Sequence, residues 1–497
     1  MAEGKCDNNR LSRTKPFVSA MEPASMQFFI WRIFTSLLLF LLIISMAAAA
    51  DVPRPNVLFI LADDLGYMDI GANNPKSFYE TPNIDRLAAR GMRFTQGYSA
   101  CPVCSPTRAS IMTGKYPPRT GITDYIGGDH AARMNPAPNQ EHLSLDEVTI
   151  AERLRDAGYA TFFAGKWHLG TDAFTPNAQG FGPGLQGSGQ FYYPPRSGGE
   201  RKEDTDEDPK TTDRIADAAV DFIETHKDKP FFAYLPFLAV HRPIQAAPRL
   251  VKKYEEKRKS APADVWGVER ECKVRLVQND AGYAAMLEQL DTAVGRVVAA
   301  LDRAGLTEKT VIVFTSDNGG LSTSSGHPTS NAPLRAGKGW PYEGGIRTPW
   351  IVVAPGVTKG GSVCDTPVIT TDCYPTLLDL CGQSATPEQP KDGVSLVPLL
   401  NGSDLKRSAP LYWHYPHYGN QGGAPCGAIR DGEWKLVEWF EDGSLELFNL
   451  REDLGEQRNL AAEKPQKAKE LQSQLAAWRK ATNAVMPTVN PDFKASP

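Results

Sequence analysis

The chain of 497 residues carries 54 Lys and Arg against 58 Asp and Glu, a net charge of −4. With no basic excess to neutralise phosphates, nucleic-acid binding by a charged surface is excluded. A hydrophobic share of 41% beside 23% charged residues fits a folded globule and excludes wholesale disorder, and eight cysteines are too few for a disulfide scaffold.

In chain order, the first predicted element is an apolar run over 33–44, broken only by Thr35 and Ser36. Arg32 precedes it and Ser45-Met46-Ala47-Ala48-Ala49-Ala50 follows it. A cation, a short apolar stretch and small residues in that order predict a secretory signal cut near Ala50. The alternative is a retained anchor, since 28–50 is long enough to span a bilayer. The expected organisation is a signal over 1–50, a main domain over 51–408 and a C-terminal subdomain over 409–497. The mature chain is expected to be exported, to a periplasm or beyond, without stable membrane insertion.

Residues 55–62 then form a continuous apolar run of strand length, as do 160–164 and 310–315, with further candidates at 231–238 and 350–354. Runs without alternation predict strands covered on both faces, as in a mostly parallel sheet. Helical patterns over 81–90, 149–157, 213–225, 281–304 and 372–380 lie between them, so the main domain reads as α/β, a large mixed sheet sandwiched by helices. After about 408 the pattern changes. Short strands at 427–430, 434–440 and 445–449 are separated by Asp431-Gly432 and Asp442-Gly443, and a helix with Leu471, Leu475 and Trp478 on one face runs over about 464–481. This predicts a small antiparallel sheet plus a helix.

Two predicted strands end in oxygen ligands, Asp63-Asp64 and Asp317-Asn318. Ligands of open α/β sheets gather at the carboxyl ends of strands, so the two pairs are expected to meet. Their hard donors suit Ca²⁺ or Mg²⁺. Cationic segments recur beside other strand ends: Gly165-Lys166-Trp167-His168, Val240-His241-Arg242-Pro243 and Arg335-Ala336-Gly337-Lys338-Gly339. Around a divalent cation they predict a pocket for a tetrahedral oxyanion. Cys101-Pro102-Val103-Cys104 reads on spacing alone as structural, zinc-binding or redox-active, and no second pair completes a Cys₄ site.

From about 54 to 480 the chain resembles the sulfatase family of the alkaline phosphatase-like superfamily. The resemblance is carried by Cys104-Ser105-Pro106-Thr107-Arg108 and by Ile111-Met112-Thr113-Gly114-Lys115, with support from Gly344-Gly345-Ile346-Arg347-Thr348-Pro349 and from Leu445-Glu446-Leu447-Phe448-Asn449-Leu450 with Arg458-Asn459-Leu460-Ala461. It implies that Cys104 is oxidised to formylglycine (3-oxoalanine) by a formylglycine-generating maturation enzyme, the aldehyde hydrate being the nucleophile. It implies one Ca²⁺ held by Asp63, Asp64, Asp317, Asn318 and the converted Cys104. Arg108 would hold the hydrate, Lys166 and Lys338 would bind sulfate oxygens, His168 would take the second hydroxyl proton, and His241 would protonate the leaving alcohol. The departures, Lys115, Thr348 and Leu454-Gly455, touch none of these positions.

The implied activity is hydrolysis of a sulfate monoester, on a sulfated small molecule or the end of a glycan. The alternatives are a phosphonate monoester or phosphodiester hydrolase of the same superfamily, and a non-catalytic sulfated-glycan-binding protein. Trp167, Trp340 and Tyr342 are compatible with sugar stacking and equally with ordinary packing. Loops over 127–140, 180–199 and 412–427 are expected to shape the pocket, with His130, Arg242, His414 and His417 as candidates for touching the sugar.

Overall fold

The run Asn56–Ala62 (β1) is buried along its whole length. Its side chains alternate between two apolar clusters: Leu58, Ile60 and Ala62 enter one, and Val57, Phe59 and Leu61 enter the other. Both faces are covered, which is why the sequence shows no alternation here. The computed structural model describes residues 54–494 apart from 129, 187–205, 207–209, 325, 385–391, 406 and 408. The expected signal over 1–50 therefore lies outside the described residues, as does most of the expected loop over 180–199.

Around β1 are β2 (Met92–Phe94), β3 (Ala160–Gly165), β4 (Leu185–Gln186), β5 (Phe231–Pro236), β6 (Thr310–Ser316), β7 (Trp350–Val353) and β8 (Ser362–Cys364). They form one eight-stranded sheet in the order β8-β2-β7-β6-β1-β5-β3-β4. Only β7 runs against its neighbours. The sheet is thus mixed and mostly parallel, as expected.

The helices α1 (Pro82–Arg90), α2 (Cys104–Thr113), α3 (Ile150–Asp156), α4 (Thr211–Thr225), α5 (Ala281–Arg303) and α6 (Cys373–Leu380) cover it. The apolar residues of α1, α4 and α5 join the cluster on one face, and those of α2, α3 and α6 join the other. Local signals start several of them. Thr149 and Glu152 form a reciprocal capping box on α3, and the Asp280 side chain accepts from the Tyr283 amide at the head of α5.

The C-terminal sheet is β9 (Leu411–Tyr415), β10 (Cys426–Asp431), β11 (Trp434–Trp439) and β12 (Leu445–Asn449), joined in that order as antiparallel neighbours. Gly432 and Gly443 take φ of 59° and 71°, the left-handed backbone that the two Asp-Gly turns predicted. Helix α7 (Pro465–Ala481) buries Leu471 and Leu475 against this sheet, and the cluster so formed also takes in Trp340 and Tyr342. That settles two of the aromatic candidates: Trp340 and Tyr342 are 0% and 1% exposed and pack as core, and Trp167 is buried likewise. The expected loop over 412–427 is shorter than anticipated, because its first residues belong to β9.

Candidate active site

The parallel strands β1, β3, β5 and β6 finish at one edge of the sheet, and each hands a chain segment to the same spot. Beyond β1, the Asp63 amide donates to the Ala239 carbonyl at 3.0 Å, and the Val240 amide returns a bond to the Asp63 carbonyl at 2.7 Å. This locks the β1 exit to the β5 exit. Beyond β6, the Asp317 amide donates to the Ala62 carbonyl at 3.1 Å. Asp63, Asp64, Asp317 and Asn318 are all buried.

Cys104 is the first residue of α2, a helix with every residue buried. Its Sγ lies 3.6 Å from Asp63 Oδ1 and 3.4 Å from Lys338 Nζ. One turn on, Arg108 faces the same way. It donates to Asp317 Oδ2 from Nε at 2.9 Å and from Nη2 at 2.7 Å, to Asp63 Oδ2 at 3.2 Å, and to the Lys166 carbonyl at 2.6 Å. Lys166 Nζ sits 2.5 Å from Asp63 Oδ2, and Lys338 Nζ sits 2.6 Å from Asp64 Oδ1. His241 Nε2 is 3.7 Å from Asp64 Oδ2. His168 Nε2 is 3.3 Å from the Ile126 carbonyl, and its Nδ1 is buried without a hydrogen-bond partner.

The structure thus brings the ten predicted residues together, Lys166, His168 and His241 being only partly buried, and three carboxylates face the three permanent cations Arg108, Lys166 and Lys338. Burial pushes Asp63 up, but Lys166, His241, Arg108 and Lys338 outweigh it and hold the group well below the usual carboxylate range. Burial holds His168 and His241 low, helped by Lys166 at the first and Lys338 at the second. Burial also pushes the Cys104 thiol up in spite of the two lysines. As a cysteine, residue 104 is a neutral thiol and a poor nucleophile.

The donor set fits a hard cation. Asp63, Asp64, Cys104 and His241 place potential ligand atoms within 4.8 Å of one another. Asp64 Oδ2 and Asn318 Oδ1 are buried oxygens with no hydrogen-bond partner, a state that costs free energy unless something electropositive meets them. Zinc at Cys101 and Cys104 has no support, since Cys101 Sγ turns to the Thr123 carbonyl at 4.0 Å while Cys104 turns to Asp63. All seven described cysteines are free.

Glycines make the tight backbone approaches possible. A Cβ on Gly319 would lie 1.9 Å from the Gly344 carbonyl oxygen, so no side chain fits beside the Asp317-Asn318 turn. Sequence reasoning passed over Asn331. Its Nδ2 donates to the Gly320 carbonyl at 2.8 Å and the Ala336 carbonyl at 3.0 Å, tying the Asp317 loop to the Lys338 loop. Nothing in a lone Asn between Ser330 and Ala332 signals this. Of the histidines considered for sugar contact, His414 and His417 are buried and bonded to Val485 and Thr123. His130 pairs with the Tyr125 hydroxyl at 2.9 Å.

Comparison with known proteins gives a consistent result. The family described as Sulfatase matches residues 55–383, and the family described as N-sulphoglucosamine sulphohydrolase, C-terminal, matches 336–481. A protein named Sulfatase from Formosa agariphila is 32% identical over 91% of this chain and 94% of its own length. Mouse N-acetylgalactosamine-6-sulfatase is 30% identical over 86% of this chain and 80% of its own. Among solved structures, Ps i-CgsB in complex with k-i-k-neocarrahexaose superposes with a TM-score of 0.70 at 29% identity, covering 86% of this chain and 92% of that one.

Proposed function

This chain belongs to the sulfatase family and is a sulfate ester hydrolase, and from that premise we propose that it cleaves a sulfate monoester on a saccharide, using a nucleophile made from Cys104 and one Ca²⁺. The observation that carries this reading is the position of Cys104, at the first turn of a buried helix between Asp63 and Lys338.

Asp63, Asp64, Asp317 and Asn318 would hold the calcium together with the converted Cys104. Bound there, the cation would add positive charge to a site whose own charges balance, and the hydrate of the aldehyde made from Cys104 would offer a hard hydroxyl oxygen as nucleophile. The rest is done by this chain's own side chains. Lys166 and Lys338 neutralise the sulfate oxygens and hold sulfur in line with residue 104. Arg108 keeps Asp63 and Asp317 fixed and orients the nucleophilic hydroxyl. His241 Nε2 delivers a proton to the departing alcohol oxygen, and an anionic ester beside it raises its pKa toward the protonated form. His168 Nδ1, neutral and without a hydrogen-bond partner, accepts the proton of the remaining hydroxyl on residue 104, so that the C–O bond to sulfate breaks, sulfate leaves and the aldehyde is restored.

A saccharide is favoured by the relatives, one named N-acetylgalactosamine-6-sulfatase and one solved in complex with k-i-k-neocarrahexaose. Export is favoured by the apolar run over 33–44 and the Ala tail to Ala50. No described helix is long and apolar enough to cross a membrane. We divide the mature chain at about residue 408, and assign Cys104 as the target of a formylglycine-generating enzyme.

The test is mass spectrometry of the tryptic peptide 94–108 from protein made in a host with that maturation enzyme, coupled to assays on 4-nitrophenyl sulfate and bis(4-nitrophenyl) phosphate. An aldehyde at residue 104 with faster sulfate hydrolysis is expected. An unmodified thiol in protein that turns over, or faster phosphodiester cleavage, overturns the reading.

A further inference from the structure

One cleft opens directly onto the catalytic cluster. Its volume is about 320 Å³, near the small end of the ~300–1,000 Å³ typical of ligand pockets, which suits one ring with its substituents. His241, Leu321, Lys338 and Gln421 line it where the chain is buried or partly buried, and Arg242, Pro243 and Asn420 are exposed and so mark its mouth. Asn420 and Gln421 come from the connection between β9 and β10, so the C-terminal sheet completes the cleft.

Three observations give this cleft a chemical preference. First, Gln421 is 5% exposed, yet its Oε1 is buried without a hydrogen-bond partner. Its position is fixed, because its carbonyl accepts from Thr323 Oγ1 and from Trp340 Nε1, each at 2.9 Å. Second, Gly339, next to Lys338, has φ of 83°, and a Cβ there would fall 2.8 Å from Gln421 Oε1. The missing side chain gives Gln421 its place beside the catalytic lysine. Third, Arg242 is exposed at the mouth, and among the described residues no carboxylate pairs with it. The sulfate to be cleaved already has Lys166 and Lys338, so Arg242 is a cation beyond what that group requires.

Resting on the sulfatase reading, we propose that Arg242 binds a second anionic group on the substrate, while Gln421 Oε1 accepts a hydrogen bond from a hydroxyl of the sulfated ring. The substrate class is therefore a multiply anionic sulfated saccharide, in which a carboxylate or a second sulfate lies next to the ester that is cut. A guanidinium presents two parallel donors, the geometry that carboxylate and sulfate oxygens both accept. A buried amide oxygen next to the reacting centre discriminates strongly against a ligand lacking the matching donor.

The experiment compares kcat/KM of the formylglycine-bearing enzyme on four substrates: 4-nitrophenyl sulfate, a neutral monosulfated sugar, a disulfated sugar, and a monosulfated disaccharide containing a uronate. The unaltered enzyme is expected to favour the last two, and which of them leads identifies the second anion. In Arg242→Gln, the ratio of kcat/KM for the preferred dianionic substrate to that for 4-nitrophenyl sulfate is expected to fall about tenfold to a hundredfold, through KM. Arg242→Lys is expected to recover part of that ratio. In Gln421→Leu, the ratio of saccharide to aryl sulfate turnover is expected to fall about tenfold. A preference for the neutral monosulfated sugar overturns the proposal, as does an equal loss on all four substrates in Arg242→Gln. Turnover of none of them by the unaltered, converted enzyme overturns the sulfatase reading itself, and this proposal with it.

Discussion

Arg108 and Asp317 are joined by two hydrogen bonds to a single carboxylate oxygen, at 2.9 and 2.7 Å, and both side chains are at most 1% exposed. The guanidinium goes on to Asp63 and to the Lys166 carbonyl, so one side chain references four chain segments to each other. Lysine can reproduce the charge but not the fork. Arg108→Lys is expected to lower kcat/KM on 4-nitrophenyl sulfate by about 10²–10³-fold. Arg108→Ala strands buried carboxylates and is expected to cost about 3–5 kcal/mol in urea unfolding. A loss of less than tenfold in the lysine variant would show that charge alone suffices.

Cys104→Ala is expected to abolish turnover, while its melting temperature stays within a few degrees of the parent, since only a small side chain is lost. Burial of α2 adds a second expectation: Cys104 is 2% exposed, so a maturation enzyme can reach it only before the chain has folded. Folded, unconverted protein incubated with that enzyme is expected to keep its thiol by mass spectrometry, whereas the same protein offered unfolded is converted. Conversion of the folded form at a comparable rate would contradict the burial argument.

Much of this site is legible in the sequence, because its residues sit where strands end and in short segments flanked by Gly or Pro. Asp63-Asp64 and Asp317-Asn318 follow uniform apolar runs that announce buried strands, and β1 and β6 are found within a residue of their expected ends. The strands β2 and β8 have three residues each, too few for any periodicity to show. Helix α2 escaped because it is buried all round yet mixes Ser, Thr, Pro and Arg with its apolar residues, so no amphipathic stripe marks it. The Asn331 side chain bonds only to backbone carbonyls, which any sequence supplies, and Gln421 meets the Lys338 loop across 81 residues of chain, so neither contact leaves a local pattern.

Calcium removal gives a third prediction. Asp64 Oδ2 and Asn318 Oδ1 are buried oxygens of the cluster without a hydrogen-bond partner, and a ligand that binds only the folded state stabilises it by RT ln(1 + [L]/Kd). Dialysis against EGTA is expected to lower activity and melting temperature together. Calcium at a hundredfold its Kd is expected to restore both, adding about 2.7 kcal/mol. Asn318→Leu removes one donor and is expected to raise the calcium concentration for half-maximal stabilisation by about tenfold or more. A melting temperature indifferent to EGTA and calcium would remove the metal from the proposal.

His414 supplies a pH dependence far from the catalytic cluster. It is 1% exposed on β9, its Nε2 is 2.9 Å from the Val485 carbonyl, and burial, reinforced by Arg479, lowers its pKa to about 4. The unfolded chain titrates near 6.5, so between about pH 6.5 and 4 the unfolded state binds more protons at this position. Its contribution to stability is therefore fully present above that window and is lost as pH falls through it, by about 2 kcal/mol between pH 7 and pH 5. The stability difference between the parent and His414→Gln is expected to move by that amount in favour of the variant over this interval, read from urea unfolding at the two pH values. A constant difference would mean that His414 titrates in the fold as it does in the unfolded chain.

The C-terminal sheet is coupled to the site through Lys435 on β11. Its ammonium is fully buried, 3.0 Å from Glu343 Oε1 and 2.8 Å from Glu456 Oε1, and both carboxylates are fully buried as well. Glu343 also accepts from the Tyr98 hydroxyl at 2.8 Å and pairs with Arg347, while Glu456 accepts from the Glu343 amide at 2.7 Å. Glu343 opens the turn whose Gly345 carbonyl accepts from the Gly319 amide at 2.9 Å, immediately after Asp317-Asn318. Lys435→Met leaves two buried carboxylates facing each other and is expected to cost about 3–5 kcal/mol. The loss should be largely recovered in Lys435→Met with Glu456→Gln, because the second change removes the stranded charge while keeping an acceptor for the Glu343 amide. If Gly319 transmits the disturbance, the single variant also loses calcium affinity and the double variant regains it. Recovery of stability without recovery of calcium affinity would mean that the network serves the fold alone.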